Sequence, residues 1–237
     1  LYGKQDTKFV LFNGEGCNGK GTLLELFESL LTKQYISYAC CSLITNKVKK
    51  TGASPEMVAL DKARCVVFSE PDEDVSLNGA TIKGLSGNET VNARGLYSSD
   101  TTIHMCAIMI MECNQRPKIN ARTDNAILRR IVDLLFPVKF VDTEEEVIDE
   151  YTVLKDSRFK EDAFKIEHRL SLFHLLLKSE HRTIYEPASV KERTKEYIFS
   201  GDDLISWLRE LDTSLYKELE CVKIADLHDQ FKLDKYR

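Results

Sequence analysis

A glycine-rich loop followed by a lysine is the clearest chemical signal in the sequence. Residues Gly14-Glu-Gly-Cys-Asn-Gly-Lys20 satisfy the pattern G-x-x-x-x-G-K, which is typical of phosphate-binding loops. Glycines let backbone N–H groups turn towards phosphate oxygens, and Lys20 supplies a positive charge for the outer phosphates. The apolar run Phe9 to Phe12 precedes the loop, and a helical pattern from Thr22 to Leu31 follows it. The sequence therefore predicts a nucleoside triphosphate site.

The residue after the lysine departs from the usual loop. A Ser or Thr normally stands there and its hydroxyl binds Mg²⁺, whereas this chain has Gly21 and carries a hydroxyl only at Thr22. We expect ATP with Mg²⁺, and Thr22 is one candidate metal ligand. A glycine-rich turn without a ligand is the alternative, but the strand, the glycines, the lysine and the helix together argue against it. The residues expected to bind the nucleotide are Gly14, Gly16, Asn18, Gly19, Lys20, Gly21 and Thr22.

Polar and acidic residues follow a second buried strand. The run Cys65-Val-Val-Phe68 is apolar, and Ser69 and Glu70 come directly after it. A carboxylate at this place can polarise the attacking water, so Glu70 is the predicted catalytic base. The usual pattern has a metal-binding acid immediately before that glutamate. Because this chain has Ser69 there, we expect Ser69 to support the Mg²⁺ shell through its hydroxyl or a water. A solvated loop is the favoured interpretation of Asp72, Glu73 and Asp74.

An amide ends the third apolar strand, and two arginines follow further along the chain. The stretch Ile108-Met-Ile-Met-Glu-Cys-Asn114 places Asn114 where its amide could orient the attacking water or contact the γ-phosphate. Arg129 and Arg130 precede another apolar run. An arginine supplied across a subunit interface stabilises transition-state charge on the γ-phosphate, so either arginine is a candidate. Surface ion pairs are the alternative for both.

Short buried strands separated by helices must position these residues, and that pattern predicts an α/β fold with a mostly parallel central sheet. Ser76 to Leu85 is predicted as a helix, and residues 87–100 are rich in turn formers and predict a hairpin. Thr101 to Glu112 is predicted as one strand that follows the hairpin. Residues 1–142 are expected to form this core.

The second half of the chain has a different pattern. Residues 143–220 are predicted to be helical, with a strong pattern from Phe164 to Leu177 and two helical stretches between Pro187 and Leu211. Residues 221–237 could begin a winged-helix domain. The chain starts at Leu1 and stops within an apolar pattern, so we expect it to be cut from a longer protein.

Composition limits the possible partners and surroundings. The 33 Lys and Arg against 38 Asp and Glu give a net charge of −5, so nucleic-acid contacts must be local. Seven cysteines, with no C-x-x-C pair, favour a reducing compartment over a disulfide framework or zinc ribbon. The five histidines have no zinc-site spacing. No apolar run approaches the roughly 20 residues of a membrane span.

Several segments together resemble the superfamily 3 helicases of viruses and plasmids. Within that group they are most similar to the primase-helicases of large DNA viruses (poxvirus-like) and of phage or satellite-phage type. The phosphate loop is specific alone, and the other segments are specific in combination. The resembling segments are Gly14 to Thr22, Phe68-Ser-Glu-Pro71, Ile82 to Arg94, Cys113-Asn114 with Pro117, and Asp124 to Arg130.

This resemblance implies an AAA+ type P-loop NTPase core and a ring of six subunits with ATP sites between neighbours. Single-stranded DNA would lie in the central pore. By the same resemblance, Lys20 and Thr22 bind nucleotide, Glu70 activates water and Asn114 senses the γ-phosphate. One of the two arginines acts in trans, and Arg130 is preferred. The protein would work in the host cytoplasm or a viral replication compartment, with a primase domain upstream in the parent chain.

The family also carries a DNA-gripping hairpin between its second and third strands. The matching stretch of this chain runs through Lys83 and Arg94. Arg94-Gly-Leu-Tyr97 would offer a cation for phosphate and an aromatic face for a sugar or base, as in sequence-tolerant single-strand binding. The residues expected to bind DNA are therefore Lys83, Arg94 and Tyr97.

Two other functions remain open from the sequence. A phosphate-loop kinase of a small acceptor would share the loop without needing a ring, and it would consume its acceptor stoichiometrically with ATP. An ATP-gated ring that holds DNA without unwinding it would bind DNA but fail to displace a strand.

Overall fold

The structure is a computed structural model that describes residues 7–45, 54–72, 75–87, 90–95, 100–120, 125–179, 185–200, 207–208, 211 and 223–235. The strands in these ranges are β1 (Phe9–Asn13), β2 (Ile36–Ala39), β3 (Cys65–Phe68), β4 (Leu77–Asn78), β5 (Thr90–Arg94), β6 (Asp100–His104), β7 (Ile108–Cys113), β8 (Ile119–Asn120), β9 (Ile131–Leu135), β10 (Lys139–Val141) and β11 (Thr152–Leu154). The α-helices are α1 (Lys20–Leu31), α2 (Ser42–Thr45), α3 (Pro55–Val58), α4 (Gly79–Gly87), α5 (Asn125–Leu128), α6 (Asp162–Lys178), α7 (Ala188–Ser200) and α8 (Ile224–Lys235).

A five-stranded sheet in the order β2-β3-β7-β1-β9 forms the centre of the structure. Each neighbouring pair in this sheet is parallel. The residues that follow β1, β3 and β7 therefore meet at one edge of the sheet, where α/β proteins usually bind ligands. The predicted α/β class with a mostly parallel central sheet is confirmed.

Both faces of the sheet are buried, which explains the nearly continuous apolar strands. Because successive side chains of a strand point to opposite faces, each strand contributes to two clusters. Phe68 and Met111 belong to a cluster on one face. Val67, Ile110 and Leu24 of α1 belong to the cluster on the other face. Helix α1 is therefore held against the sheet beside the phosphate loop that it follows.

Two boundaries predicted between residues 76 and 112 are wrong. The single strand expected from Thr101 to Glu112 is two strands, β6 in the hairpin and β7 in the central sheet. Met105 and Ala107 between them are buried, so apolar continuity hid the break. The helix expected from Ser76 begins only at Gly79, because Leu77 and Asn78 pair with β8. The hairpin itself is present as the antiparallel pair β5–β6.

The second half contains the predicted helices α6 and α7. It also contains β11, which pairs in parallel with β10, so strands lie on both sides of the predicted boundary at residue 142. Tyr197 and Ile198 of α7 are buried in the core of the sheet domain. The division into domains stays a prediction, as does the winged helix, for which only helix α8 is described. Across the described ranges, none of the helices combines the length and apolar character needed to cross a membrane.

A buried carboxylate joins β9 to α7. Asp133 is 0% exposed, and its Oδ2 lies 2.7 Å from Arg116 and 3.0 Å from Arg193. The backbone N–H of Asp133 donates to the Thr194 hydroxyl at 3.0 Å. Burial raises the pKa of Asp133, and the two guanidinium groups oppose that rise. The Tyr197 hydroxyl donates to the carbonyl of Pro117, so α7 is bound both to β9 and to the loop after β7.

Replacement of Asp133 by Ala should strongly destabilise the fold, because it leaves two arginines without their shared carboxylate. Removing one partner of a fully buried pair costs about 3 to 5 kcal/mol. The arginine side chains are 27% and 28% exposed, so water solvates them in part and we expect about 2 to 3 kcal/mol. Urea unfolding of Asp133→Ala measures this loss. The control is Asp142→Ala, which removes an exposed partner of Lys155 and should change little. Equal losses in both variants would show that the junction contributes no special stability.

Candidate nucleotide-binding site

The phosphate loop is held from both sides. The N–H of Gly14 donates to the carbonyl of Cys113 at the end of β7, at 3.2 Å. On the other side, the N–H of Phe140 donates to the carbonyl of Cys17 at 2.7 Å. The loop between β1 and α1 is therefore fixed in place by the end of β7 and by β10.

Two residues of the loop shape it from within. Asn18 is buried, and its amide donates to the carbonyl of Phe136 at 3.5 Å. A side chain at Gly14 would overlap that amide, so glycine is required there. Gly19 caps α1 with a φ of +81°, a conformation that other residues adopt only at a cost. Gly14 and Gly19 are therefore needed for the shape of the loop, in addition to their predicted role in binding a ligand.

Lys20 lies at the mouth of the loop and is only 6% exposed. Its ammonium group donates to the carbonyl of Gly14 at 2.5 Å and to Oδ1 of Asn114 at 3.3 Å. The structure therefore brings together the predicted phosphate-binding lysine and the predicted γ-phosphate sensor, which are far apart in sequence.

Glu70 completes this group. Its Oε1 accepts hydrogen bonds from the N–H groups of Asn114 at 2.6 Å and of Gln115 at 3.1 Å. Two backbone donors fix the orientation of the carboxylate next to the end of β7. The side chains of Glu70 and Asn114 are exposed, so a substrate can reach them from solvent. A lysine, an amide and a carboxylate arranged in this order can hold a terminal phosphate and accept a proton from an attacking water.

The two hydroxyl groups expected to hold Mg²⁺ have different surroundings. Thr22 is partly exposed in the first turn of α1. The Ser69 hydroxyl accepts a hydrogen bond from the N–H of Cys41 at 3.4 Å, which turns it towards the residues after β2. Their role as metal ligands stays a prediction.

Sequence reasoning missed Glu112, which is half-buried near the end of β7. Its Oε1 lies 3.6 Å from the position that a Cβ of Gly21 would occupy. Burial raises the pKa of Glu112, and the nearby Lys20 ammonium opposes that rise. The sequence does carry a signal for Glu112. It is a charged residue near the end of an otherwise apolar strand, two positions before Asn114.

The arginine pair is divided between surface and interior. Arg129 is exposed. Arg130 is 8% exposed, and its guanidinium group donates to the Ser86 hydroxyl at 3.0 Å and to the carbonyl of Ala126 at 2.9 Å. The preference for Arg130 as an arginine that reaches a neighbouring subunit is not supported by this geometry, because Arg130 would first have to leave both partners.

The residues expected to bind DNA are not all on one hairpin. Lys83 lies in α4, before the hairpin, whereas Arg94 is exposed at the end of β5. Tyr97 lies outside the described residues. Ala93 of β5 and Ile103 of β6 are buried, so one face of the hairpin packs inwards while Arg94 faces out.

An exposed apolar patch lies beside the loop on the side of β9. The Phe140 ring comes within 3.1 Å of the Cβ position of Gly19. Phe140 is 38% exposed and pairs in register with Val153, which is 42% exposed. The N–H of Phe140 donates to the carbonyl of Cys17, whereas Glu70 contacts the residues after β7.

Comparison with known proteins gives matches in both sequence and fold. The chain is 31% identical over 143 residues to "Putative helicase 022R" of Frog virus 3 (isolate Goorha), which covers 59% of this chain. It is 28% identical over 140 residues to "Putative helicase L207/L206" of Acanthamoeba polyphaga mimivirus, again over 59% of this chain. It is 28% identical over 152 residues to "Primase D5" of Fowlpox virus (strain NVSL), over 62% of this chain. No protein-family model matches.

The chain spans only 15%, 14% and 19% of the length of these three relatives. In fold, it matches the NrS-1 C-terminal region with a TM-score of 0.58 at 14% identity, covering 98% of this chain and 54% of that one. The site and the central sheet thus belong to an α/β protein with a phosphate-binding loop. More particularly, the chain is a distant homologue of these viral proteins, which are named as helicases and primases.

Replacement of Gly19 by Ala should destabilise the loop, because alanine must adopt the positive φ and approach the Phe140 ring. The left-handed conformation costs about 1 to 2 kcal/mol for a residue with a Cβ, so we expect a loss of that size in the free energy of unfolding. Gly16→Ala is the matched control, since a Cβ there would have no atom within 4 Å. Denaturant unfolding of both variants tests this prediction, and equal stability of the two would contradict it.

Proposed function

We propose that this chain is the ATP-hydrolysing core of a DNA helicase that acts in viral or mobile-element replication. The observation that carries the proposal is the contact of Lys20 with Asn114, and of Asn114 with Glu70, at the mouth of a phosphate loop. The distant homology to viral proteins named as helicases and primases supports the biological setting.

In the proposed reaction, the γ-phosphate of ATP lies against the Lys20 ammonium and the Asn114 amide. Glu70, held by the N–H groups of Asn114 and Gln115, accepts a proton from the water that attacks the γ-phosphorus. The products are ADP and phosphate. Mg²⁺ bound to the phosphates would neutralise developing charge. The γ-phosphate end lies on the side of β3 and β7, so the nucleoside end points towards β9. Strands β10 and β11, which follow β9, offer Phe140 and Val153 as an apolar surface for the base.

Coupling to DNA requires neighbouring subunits in this proposal. The chain forms a ring, a neighbour supplies an arginine to each ATP site, and the β5–β6 hairpin presents Arg94 to single-stranded DNA in the pore. Arg129 is the arginine that is exposed in the isolated subunit, so we assign the role in trans to Arg129. Arg130 then stabilises the subunit by joining the end of α5 to Ser86 of α4. A primase domain in the parent chain is part of the same proposal.

The Glu70→Gln variant should lose ATPase activity by about 10²- to 10⁴-fold, because general base catalysis contributes that factor. The assay measures steady-state phosphate release with Mg²⁺ over a range of protein concentrations, with and without single-stranded DNA. Lys20→Ala should lose activity by losing nucleotide binding.

The same assay tests the ring. A rate that rises more steeply than protein concentration and increases with DNA supports the ring. Activity that is proportional to protein and indifferent to DNA would contradict it and favour the kinase alternative.

Mixing two inactive variants tests the arginine in trans. Lys20→Ala has an inactive site but keeps its arginines, and Arg129→Ala keeps its site but lacks the donated arginine, whose loss should cost about 10³- to 10⁵-fold in rate. Mixed rings should regain activity at the interfaces that combine an intact site with an intact Arg129. Arg130→Ala is the matched comparison. Recovery in mixtures with Arg130→Ala, but not with Arg129→Ala, would reverse our assignment. No recovery in either mixture would show that neither arginine acts across subunits.

A further inference from the structure

We propose that Glu112 binds the Mg²⁺ that accompanies ATP, in place of two groups that this chain lacks. The first missing group is the hydroxyl that usually follows the loop lysine, where this chain has Gly21. The second is the acid that usually precedes the catalytic glutamate, where it has Ser69. This inference rests on the nucleotide site of the proposed function.

The register of the sheet places Glu112 beside the position of the missing acid. Strands β3 and β7 pair in parallel up to Phe68 and Met111. The next residues along these two strands are Ser69 and Glu112. Val67 and Ile110, one step before that last pair, belong to the cluster that packs against α1. Since side chains alternate along a strand, Glu112 returns to the α1 face. The carboxylate is thus moved by one strand, from the end of β3 to the end of β7.

The same carboxylate reaches the position of the missing hydroxyl. Glu112 Oε1 lies 3.6 Å from where a Cβ of Gly21 would be, and a Ser or Thr at that position would project its hydroxyl from that Cβ. Gly21 itself is exposed, so the space in front of the carboxylate is open to the nucleotide. The carboxylate therefore lies near the usual position of the hydroxyl, on the strand next to the one that usually carries the acid.

The donor chemistry fits Mg²⁺. This ion is usually bound through one or two carboxylates together with substrate phosphates and waters, rather than by a cage of protein groups alone. In the part of the chain that the structure describes, no group of three His, Cys, Asp or Glu side chains could form such a cage. A single carboxylate beside the Lys20 ammonium matches a metal that the protein and the triphosphate hold together.

The test measures metal affinity rather than turnover. Mn²⁺ replaces Mg²⁺ as a spectroscopic probe, and its dissociation from the complex of the protein with a non-hydrolysable ATP analogue is followed by electron paramagnetic resonance. Glu112→Gln keeps the shape of the side chain and removes the charged oxygen. We expect Mn²⁺ binding in this complex to weaken by at least about 10-fold, because loss of even an outer partner of a metal ligand costs about that much. Binding of the analogue in EDTA should stay within about twofold, because Lys20 and the loop are intact.

Two further variants sharpen the test. Glu192→Gln is the matched control, since Glu192 is an exposed carboxylate on α7, away from the nucleotide site. It should leave Mn²⁺ binding unchanged. Adding Gly21→Ser to Glu112→Gln should restore part of the lost affinity by returning a hydroxyl to its usual place.

Three results would overturn the inference. The first is unchanged Mn²⁺ affinity in Glu112→Gln. The second is an equal loss of analogue binding in EDTA, which would show that Glu112 only supports Lys20. Failure of the wild-type chain to bind the analogue at all would overturn the proposed function and this inference with it, and that result differs from the first two.

Discussion

Strand β7 lies between β1 and β3, and the chemistry of the site depends on this position. β1 leads into the phosphate loop, and β3 leads into Glu70. Because β7 separates them, the residues at its end lie within reach of both. Asn114 contacts Lys20 on one side and Glu70 on the other, while the carbonyl of Cys113 holds Gly14. A central strand therefore sets the spacing between the group that binds phosphate and the group that activates water.

The sequence was sufficient for those parts of the site that depend on local chemistry. A glycine loop between a strand and a helix has few other uses, so the loop and Lys20 were predicted from the residues alone, and the structure gives them the predicted strand–loop–helix context. Glu70 and Asn114 were predicted because a carboxylate and an amide at the ends of buried strands can act on the attacking water or the γ-phosphate. The structure does bring them together with Lys20, although their catalytic roles remain proposals. The class of fold followed from the apolar strands between helices in the same way.

The boundary that was wrong and the site residue that was missed both depend on pairing between distant segments. The break between β6 and β7 was hidden because Met105 and Ala107 are buried like strand residues, although they lie at the junction of two sheets. Glu112 was overlooked because its place beside Ser69 follows from the register of β3 and β7. The sequence alone does not give that register. The preference for Arg130, which remains untested, came from resemblance alone. It took no account of Ser86, which lies 44 residues earlier and binds the guanidinium group inside the subunit.

The loop after β7 also explains why the helical half matters to the site. Four successive residues of this loop are attached to four different places. Asn114 contacts Lys20 of α1, and the N–H of Gln115 donates to Glu70. Arg116 pairs with Asp133 of β9, and the carbonyl of Pro117 accepts from Tyr197 of α7. Arg193 of α7 shares Asp133 with Arg116. A helix more than 70 residues later in the chain therefore helps to position Asn114 at the mouth of the phosphate loop. The contacts that Arg193 and Tyr197 make lie beyond residue 142.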